Sequence, residues 1–131
     1  MTISALIIDD SLVIRAILEN VIGNHSDLAI VGIASDVETA RRMIDDHQPD
    51  VITLDLALPG MDGLSFLGEL SSRPHAPVIV VSSSTVAESA AAKNAVDRGA
   101  YACFDKAKLV SESDKFIRLL KKAAKQRSKA A

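Results

Sequence analysis

The stretch VITLDLALPGMDG, residues 51–63, is the strongest indication of the fold in this 131-residue chain. It joins a short apolar run, Val51–Leu54, to a lone carboxylate, Asp55, and then to a turn that contains proline and glycine. A continuous, largely β-branched run is typical of a parallel strand that is buried on both faces. We therefore predict a central strand whose carboxyl end presents Asp55 at the edge of a sheet.

Four further apolar runs of this kind flank the central one, and helix-period segments separate them. The predicted strands are Ile3–Ile8, Ala29–Ala34, Val51–Leu54, Val78–Val81 and Tyr101–Phe104. The predicted helices begin near Ser11, Ser35, Gly63, Thr85 and Ser113. A strand–helix order repeated five times predicts an α/β fold, with a five-stranded, parallel, doubly wound sheet and helices on both faces.

The composition indicates which class of protein this is. With 48% hydrophobic and 24% charged residues, the chain is globular rather than disordered, and we assign one domain to residues 1–126 and a basic tail to 127–131. Cys103 is the single cysteine, which excludes an intrachain disulfide and fits a reducing cytoplasm. No signal peptide or apolar run of about 18 residues is present, so we expect a cytoplasmic protein without a membrane span.

Residues with chemical capability follow four of the five predicted strands. These strand ends carry Asp9-Asp10, Asp55, Ser82-Ser83 and Asp105-Lys106. The carboxyl ends of parallel strands share one edge of a sheet, where ligands bind in such folds. Converging carboxylates repel one another and require a cation, and Mg²⁺ prefers carboxylate, carbonyl and water oxygens. We expect Asp10 and Asp55 to bind Mg²⁺ directly, and Asp9 directly or through water.

This set of groups is suited to phosphoryl transfer. A carboxylate nucleophile forms an acyl phosphate, while a metal ion, an ammonium group and a hydroxyl hold the phosphoryl oxygens. Asp55 is the best candidate for the nucleophile because it ends the central strand and precedes a turn. Lys106 offers the ammonium group. Ser83 offers the hydroxyl, although the residues alone do not separate it from Ser82 and Ser84.

Four features at matching spacing resemble the receiver domains of two-component response regulators, over about residues 3–125. They are the strings IIDDS, VITLDLALPGMDG and VIVVSSS, and the strand-end Lys106. Within that family, DDSLVIR and VVSSST are most similar to chemotaxis methylesterase receivers. The resemblance implies a flavodoxin-like (βα)5 sheet with strand order 2-1-3-4-5. It also implies these roles: Asp9 and Asp10 as the acidic metal pair, Asp55 as phosphoacceptor, Ser83 as switch hydroxyl, Lys106 as the family's lysine and the Ala57 carbonyl as a further Mg²⁺ ligand.

The resemblance also implies partners. We expect a sensor histidine kinase or a histidine phosphotransfer protein as phosphoryl donor, a downstream protein partner, and a monomer or weak dimer. Nothing resembles a helix-turn-helix, so we expect no DNA-binding domain, and no enzyme activity beyond the chain's own phosphorylation and dephosphorylation. Two interpretations stay open, a stand-alone receiver or phosphate sink, and the regulatory half of a larger protein such as a methylesterase.

The sequence departs from the family pattern at several positions. Ala107 follows the lysine where the family usually has proline, which predicts a trans peptide bond there. Cys103 replaces an aromatic residue, and strand alternation places Tyr101 on the same face, where it would substitute for the missing ring. The resemblance also implies two positions that tune hydrolysis of the acyl phosphate, and Ala57 and Thr85 occupy them here. Neither small side chain blocks the path of an attacking water, which predicts a short-lived phosphoryl state.

Individual residues exclude two other classes of protein. An aspartyl-phosphate phosphohydrolase needs a second Asp where Ala57 stands, and a dinucleotide-binding protein needs glycines where Asp9-Asp10-Ser11-Leu12 follows the first strand.

From Lys115 to Lys129 the chain holds seven of its fifteen basic residues and no acidic one. We interpret this segment as a solvated helix face, with a partner-binding or nucleic-acid-attracting strip as the alternative.

Overall fold

The computed structural model describes residues 2–56, 63–71, 76–82 and 96–130, with side chains from 65 to 70 in the second range and up to 126 in the last. The strands are β1 (Ile3–Ile8), β2 (Leu28–Ala34), β3 (Val51–Leu54), β4 (Val78–Ser82) and β5 (Ala102–Asp105). The helices are α1 (Leu12–Gly23), α2 (Val37–His47), α3 (Gly63–Ser71) and α4 (Ser113–Ala130), with a 3-10 helix at Lys106–Lys108. Most of the helix predicted from Thr85 lies outside the described residues.

All five strands form one parallel sheet in the order β2-β1-β3-β4-β5. This order confirms the predicted flavodoxin-like sheet. β1 and β3 pair in register through Ile8 and Leu54, and β4 pairs with β5 through Ser82 and Asp105. The residues that follow these strands therefore emerge side by side at the carboxyl edge.

The first two helices begin at side chains that accept a backbone N–H. Ser11 Oγ accepts a hydrogen bond from Ile14 N at 3.3 Å, so Ser11 is the cap of α1. Asp36 Oδ1 accepts from Thr39 N at 2.8 Å, so α2 begins one residue later than a cap at Ser35 would place it. Both caps satisfy N–H groups that a helix start leaves without an intrahelical partner.

The core has one apolar cluster on each face of the sheet. One cluster joins β-strand residues to α2 and α3 and is centred on Leu6, Ile52, Phe66 and Val80. The other joins the opposite strand faces to α1 and α4 and includes Ile7, Ile79, Leu18 and Phe116. Because side chains alternate along a strand, a nearly continuous apolar run contributes side chains to the clusters on both faces of the sheet.

Tyr101 corrects one expectation. It packs against the cluster on the α1 and α4 face, whereas Cys103 packs against the cluster on the other face. β5 begins at Ala102, so Tyr101 lies in a bend before the strand, where the alternation rule does not apply. The prediction that Tyr101 shares a face with Cys103, and so replaces the missing aromatic ring, was therefore wrong.

The C-terminal helix is longer than predicted. α4 continues to Ala130, whereas the sequence pattern placed its end near Gln126. The division into a domain over 1–126 and a tail over 127–131 stays a prediction.

Among the described residues, no helix combines the length and the apolar character that crossing a membrane requires.

Thr53 offers a test of the core. It is 1% exposed in β3, and its Oγ1 has no hydrogen-bond partner among the described residues. A buried hydroxyl without a partner costs free energy, so we expect Thr53→Val to raise the free energy of unfolding by about 1 kcal/mol. Urea denaturation measures this, with Thr53→Ser as the control, which keeps the hydroxyl and should be less stable than wild type. A valine variant no more stable than wild type would contradict the assignment.

Candidate functional site

Three carboxylates converge where β1 and β3 end. Asp9 and Asp10 follow β1, and Asp55 follows β3, its in-register neighbour. One carboxylate oxygen from each lies within 4.8 Å of the others. Asp9 and Asp55 are 2% and 5% exposed, while Asp10 is exposed. The structure therefore brings together the acidic residues that the sequence placed at separate strand ends.

Lys106 bridges the two buried carboxylates. Its Nζ lies 3.2 Å from Asp9 Oδ2 and 3.2 Å from Asp55 Oδ2. The lysine side chain is 19% exposed, so the cation is largely withdrawn from water. It reaches this position from the residue after β5, although β4 lies between β5 and β3 in the sheet. One cation thus faces the two buried acidic groups.

Burial and the neighbouring charges shift the pKa of both Asp9 and Lys106. Burial raises the pKa of Asp9, and the charge of Asp55 adds to the effect, against the opposing Ser11 hydrogen bond and Lys106 charge. Burial alone would lower the pKa of Lys106, but the charges of Asp55 and Asp9 outweigh it and raise the pKa. Asp9 therefore holds its proton more tightly mainly because it is buried, and Lys106 holds its proton more tightly because two carboxylates face it.

The donor atoms fit a hard divalent cation. Asp9 Oδ1 accepts a hydrogen bond from Ser11 N at 2.8 Å. Asp9 Oδ2 is buried and, apart from the Lys106 ion pair, accepts no hydrogen bond among the described residues. A buried carboxylate oxygen with free lone pairs, next to two more carboxylates, is the oxygen environment that Mg²⁺ prefers. The Ala57 carbonyl, the further predicted ligand, lies outside the described residues.

The structure describes one of the serines considered for the hydroxyl. Ser83, the residue predicted from sequence, lies outside the described residues. Ser82 is the last residue of β4, is 2% exposed, and its Oγ has no hydrogen-bond partner among the described residues. Its place at a strand end was visible in the sequence, but the length of β4 and the burial of this hydroxyl were not.

The turn that carries Lys106 is fixed by a side chain. Asp105 Oδ1 accepts a hydrogen bond from Ala107 N at 2.9 Å and caps the 3-10 helix at Lys106–Lys108. Proline has no N–H to donate, so this bond depends on the alanine that replaces the family's usual proline. The peptide bonds of the described residues are all trans, as we predicted for Lys106–Ala107. Asp105, which the sequence left without a role, thus stabilises the turn beneath the lysine.

In a comparison with protein families, residues 5–118 match the family described as the response regulator receiver domain. Among curated proteins, the chain is 42% identical over 114 residues to a protein-glutamate methylesterase/protein-glutamine glutaminase 2 of Shewanella sp. (strain MR-4), covering 87% of this chain and 32% of the relative. A protein of the same description from Pseudomonas aeruginosa is 44% identical over 100 residues, covering 76% of this chain and 29% of the relative. The chain thus spans about a third of the length of these relatives.

Solved structures give the same result. The response regulator domain of Thermotoga maritima CheB superposes with a TM-score of 0.87 at 27% identity, covering 95% of this chain and 98% of that one. NtrX from Brucella abortus gives a TM-score of 0.84 at 27% identity, covering 98% of this chain and 28% of that one. The fold and the sequence thus match the same class of domain over nearly the whole length.

Proposed function

The chain belongs to the response-regulator receiver family, and on that premise we propose that Asp55 accepts a phosphoryl group in a Mg²⁺-dependent reaction. The observation that carries this proposal is the pair of 3.2 Å contacts from Lys106 Nζ to Asp9 and Asp55, with Asp10 beside them. This arrangement supplies a nucleophile, acidic metal ligands and a cation within one small volume. A sensor histidine kinase or a histidine phosphotransfer protein is the proposed donor, and the cytoplasm the proposed location.

In the proposed step, a carboxylate oxygen of Asp55 forms a bond to phosphorus while the bond between phosphorus and the donor's nitrogen breaks. The leaving nitrogen keeps the electron pair. Lys106 is already within ion-pairing distance of Asp55, so its ammonium group can hold one oxygen of the transferred group. Asp9, Asp10, Asp55 and the Ala57 carbonyl are the proposed ligands of Mg²⁺, which when bound offsets the negative charge of the carboxylates and the phosphoryl group.

Ser83 remains the proposed switch hydroxyl, and the buried Oγ of Ser82 supports a second candidate. A hydroxyl that binds the phosphoryl group would reposition the loops after β3 and β4 and change affinity for a downstream protein. Comparing the phosphoryl lifetimes of Ser82→Ala and Ser83→Ala assigns the role to one residue. Ala57 and Thr85 support a short lifetime, and a half-life of many hours would exclude it.

Intact-mass analysis tests the proposed function. After incubation with Mg²⁺ and acetyl phosphate, we expect a population that is heavier by a single phosphoryl group, and none when the metal is chelated. Because a short-lived acyl phosphate accumulates poorly, consumption of the donor is followed in parallel. If neither an added phosphoryl mass nor turnover of the donor is detected, that result contradicts the proposal.

Magnesium is expected to stabilise the folded protein. A ligand that binds only the native state at ten times its Kd adds about 1.4 kcal/mol to the free energy of unfolding. We expect this gain for the wild type, because Mg²⁺ relieves the repulsion among the three carboxylates. Asp10→Asn removes the exposed ligand and should lose most of the gain, whereas Asp46→Asn, an exposed carboxylate of α2, should keep it. Thermal denaturation with and without Mg²⁺ measures both, and equal gains in the two variants would contradict the assigned ligand.

A second candidate function is that of a regulatory domain within a longer methylesterase. The identity to methylesterase relatives, 42% over 114 residues, supports it. In that case the phosphoryl state of Asp55 would control a separate catalytic domain. The length of the protein made by the native cell distinguishes the two candidates, since a product of about three times this length is expected for the second.

A further inference from the structure

The charges of this chain are unevenly distributed. Residues 115–131 hold seven basic residues and no acidic one, while residues 1–114 hold the other eight basic residues and all seventeen acidic ones. The formal charges are therefore +7 for the C-terminal segment and −9 for the remainder, within a net charge of −2. Nearly all of the C-terminal segment is α4, so one helix carries the cationic part of the molecule.

Three of these cations form an exposed line, which we call the basic stripe: Arg118, Lys122 and Lys125. Their spacing of four and three residues places them on one helix face over about 10 Å. All three are exposed and make no ion pair within the described part of the chain. By contrast, Lys115 and Lys121 each lie 2.8 Å from a carboxylate, of Glu112 and Asp27 respectively.

The stability of the domain does not account for the basic stripe. α4 packs on the core through its other face, where Phe116, Leu120 and Ala123 are fully buried. Like charges three or four residues apart destabilise a helix, and the helix dipole favours cations only near the last turn. Arg118 lies in the second turn of an 18-residue helix, far from that end. The stripe therefore costs the isolated domain stability, which points to a role in binding.

We propose that the basic stripe docks an acidic protein segment whose carboxylates repeat at helical spacing. A line of three cations about 10 Å long matches a short acidic helix face. Nucleic acid fits less well, because the −9 remainder repels an extended polyanion and the described part of α4 exposes no aromatic ring for stacking. An anionic membrane also fits less well, because the large apolar side chains of α4 face the core and none is free to insert.

A defined peptide tests this proposal without any phosphoryl donor. The probe is a fluorescent helical peptide with Glu at positions 1, 5, 8 and 12, and its binding is measured by anisotropy at low ionic strength. We expect binding that weakens as salt is added. Lys122→Glu should weaken it about tenfold, because one attraction becomes a repulsion. Arg42→Glu, an exposed position on α2, changes the net charge equally and should change the affinity less than twofold. Circular dichroism establishes that both variants are folded.

The outcomes separate the alternatives. Selective loss in Lys122→Glu, together with no binding of the matched Gln peptide, supports docking of an acidic segment at the stripe. Equal loss in both variants means that net charge, not the stripe, governs binding and overturns the proposal. Absence of binding, or tighter binding to a 20-base-pair duplex or to phosphatidylserine vesicles than to the peptide, also overturns it.

Discussion

Asp55→Asn is expected to abolish covalent phosphorylation by acetyl phosphate, leaving no phosphoryl adduct in the intact mass. The neutral amide of asparagine is a poor nucleophile and cannot form the acyl phosphate that the carboxylate forms. The fold should survive, because the substitution preserves shape and removes one of the buried charges that repel each other. Lys106 also lies 3.2 Å from Asp9, and this second ion pair does not involve the Asp55 side chain.

The matched control is Asp46→Asn, which makes the same chemical change at an exposed position of α2. It should be phosphorylated like the wild type. If Asp55→Asn were modified to the same extent as Asp46→Asn, Asp55 would not be the acceptor. A circular dichroism spectrum that matches the wild type excludes loss of the fold as the cause.

Lys106→Ala is expected to slow phosphorylation about 100-fold, the effect of removing one fixed donor to a developing oxyanion. The ammonium group lies near Asp55 before any phosphoryl group arrives, so little reorganisation is needed when charge develops. Its loss also leaves Asp9 and Asp55 buried without their shared cation. We therefore expect tighter binding of Mg²⁺ in the variant, because the metal faces less competing positive charge.

This combination distinguishes a direct role of Lys106 from general damage, since an unfolded variant would lose both phosphorylation and metal binding. Lys108→Ala is the control, because Lys108 lies in the same 3-10 helix and its side chain is 55% exposed. Initial rates of phosphorylation and the Kd for Mg²⁺ are measured for both variants. A rate for Lys106→Ala within about twofold of that for Lys108→Ala would contradict the role assigned to Lys106.

Much of the fold could be predicted because the apolar pattern of each buried strand lies within a few consecutive residues. Runs such as Val51–Leu54 indicate buried parallel strands directly, and the carboxyl ends of parallel strands must share one edge. The convergence of Asp9, Asp10 and Asp55 follows from that rule, together with the order of the strands. The family resemblance supplied the order, which local patterns do not contain.

The features that could not be predicted depend on contacts between distant elements. The bridge from Lys106 to two carboxylates requires the spacing of β5 from β3 and β1, and a particular side-chain conformation. The prediction for Tyr101 failed because it assumed that β5 begins at that residue, and a one-residue change at a strand end alters which face a side chain occupies. The absence of a partner for the Thr53 hydroxyl likewise depends on residues from other strands and helices.

The most direct test of the central claim is to locate the phosphoryl group. An acyl phosphate is reduced by borohydride to an alcohol, so trapping the phosphorylated protein converts the modified aspartate to homoserine, which peptide mass spectrometry can place. We predict homoserine at position 55 alone, and only in samples that contained Mg²⁺ and acetyl phosphate. Homoserine at Asp9 or Asp10, or a stable phosphate on any other residue with none at Asp55, would contradict the account.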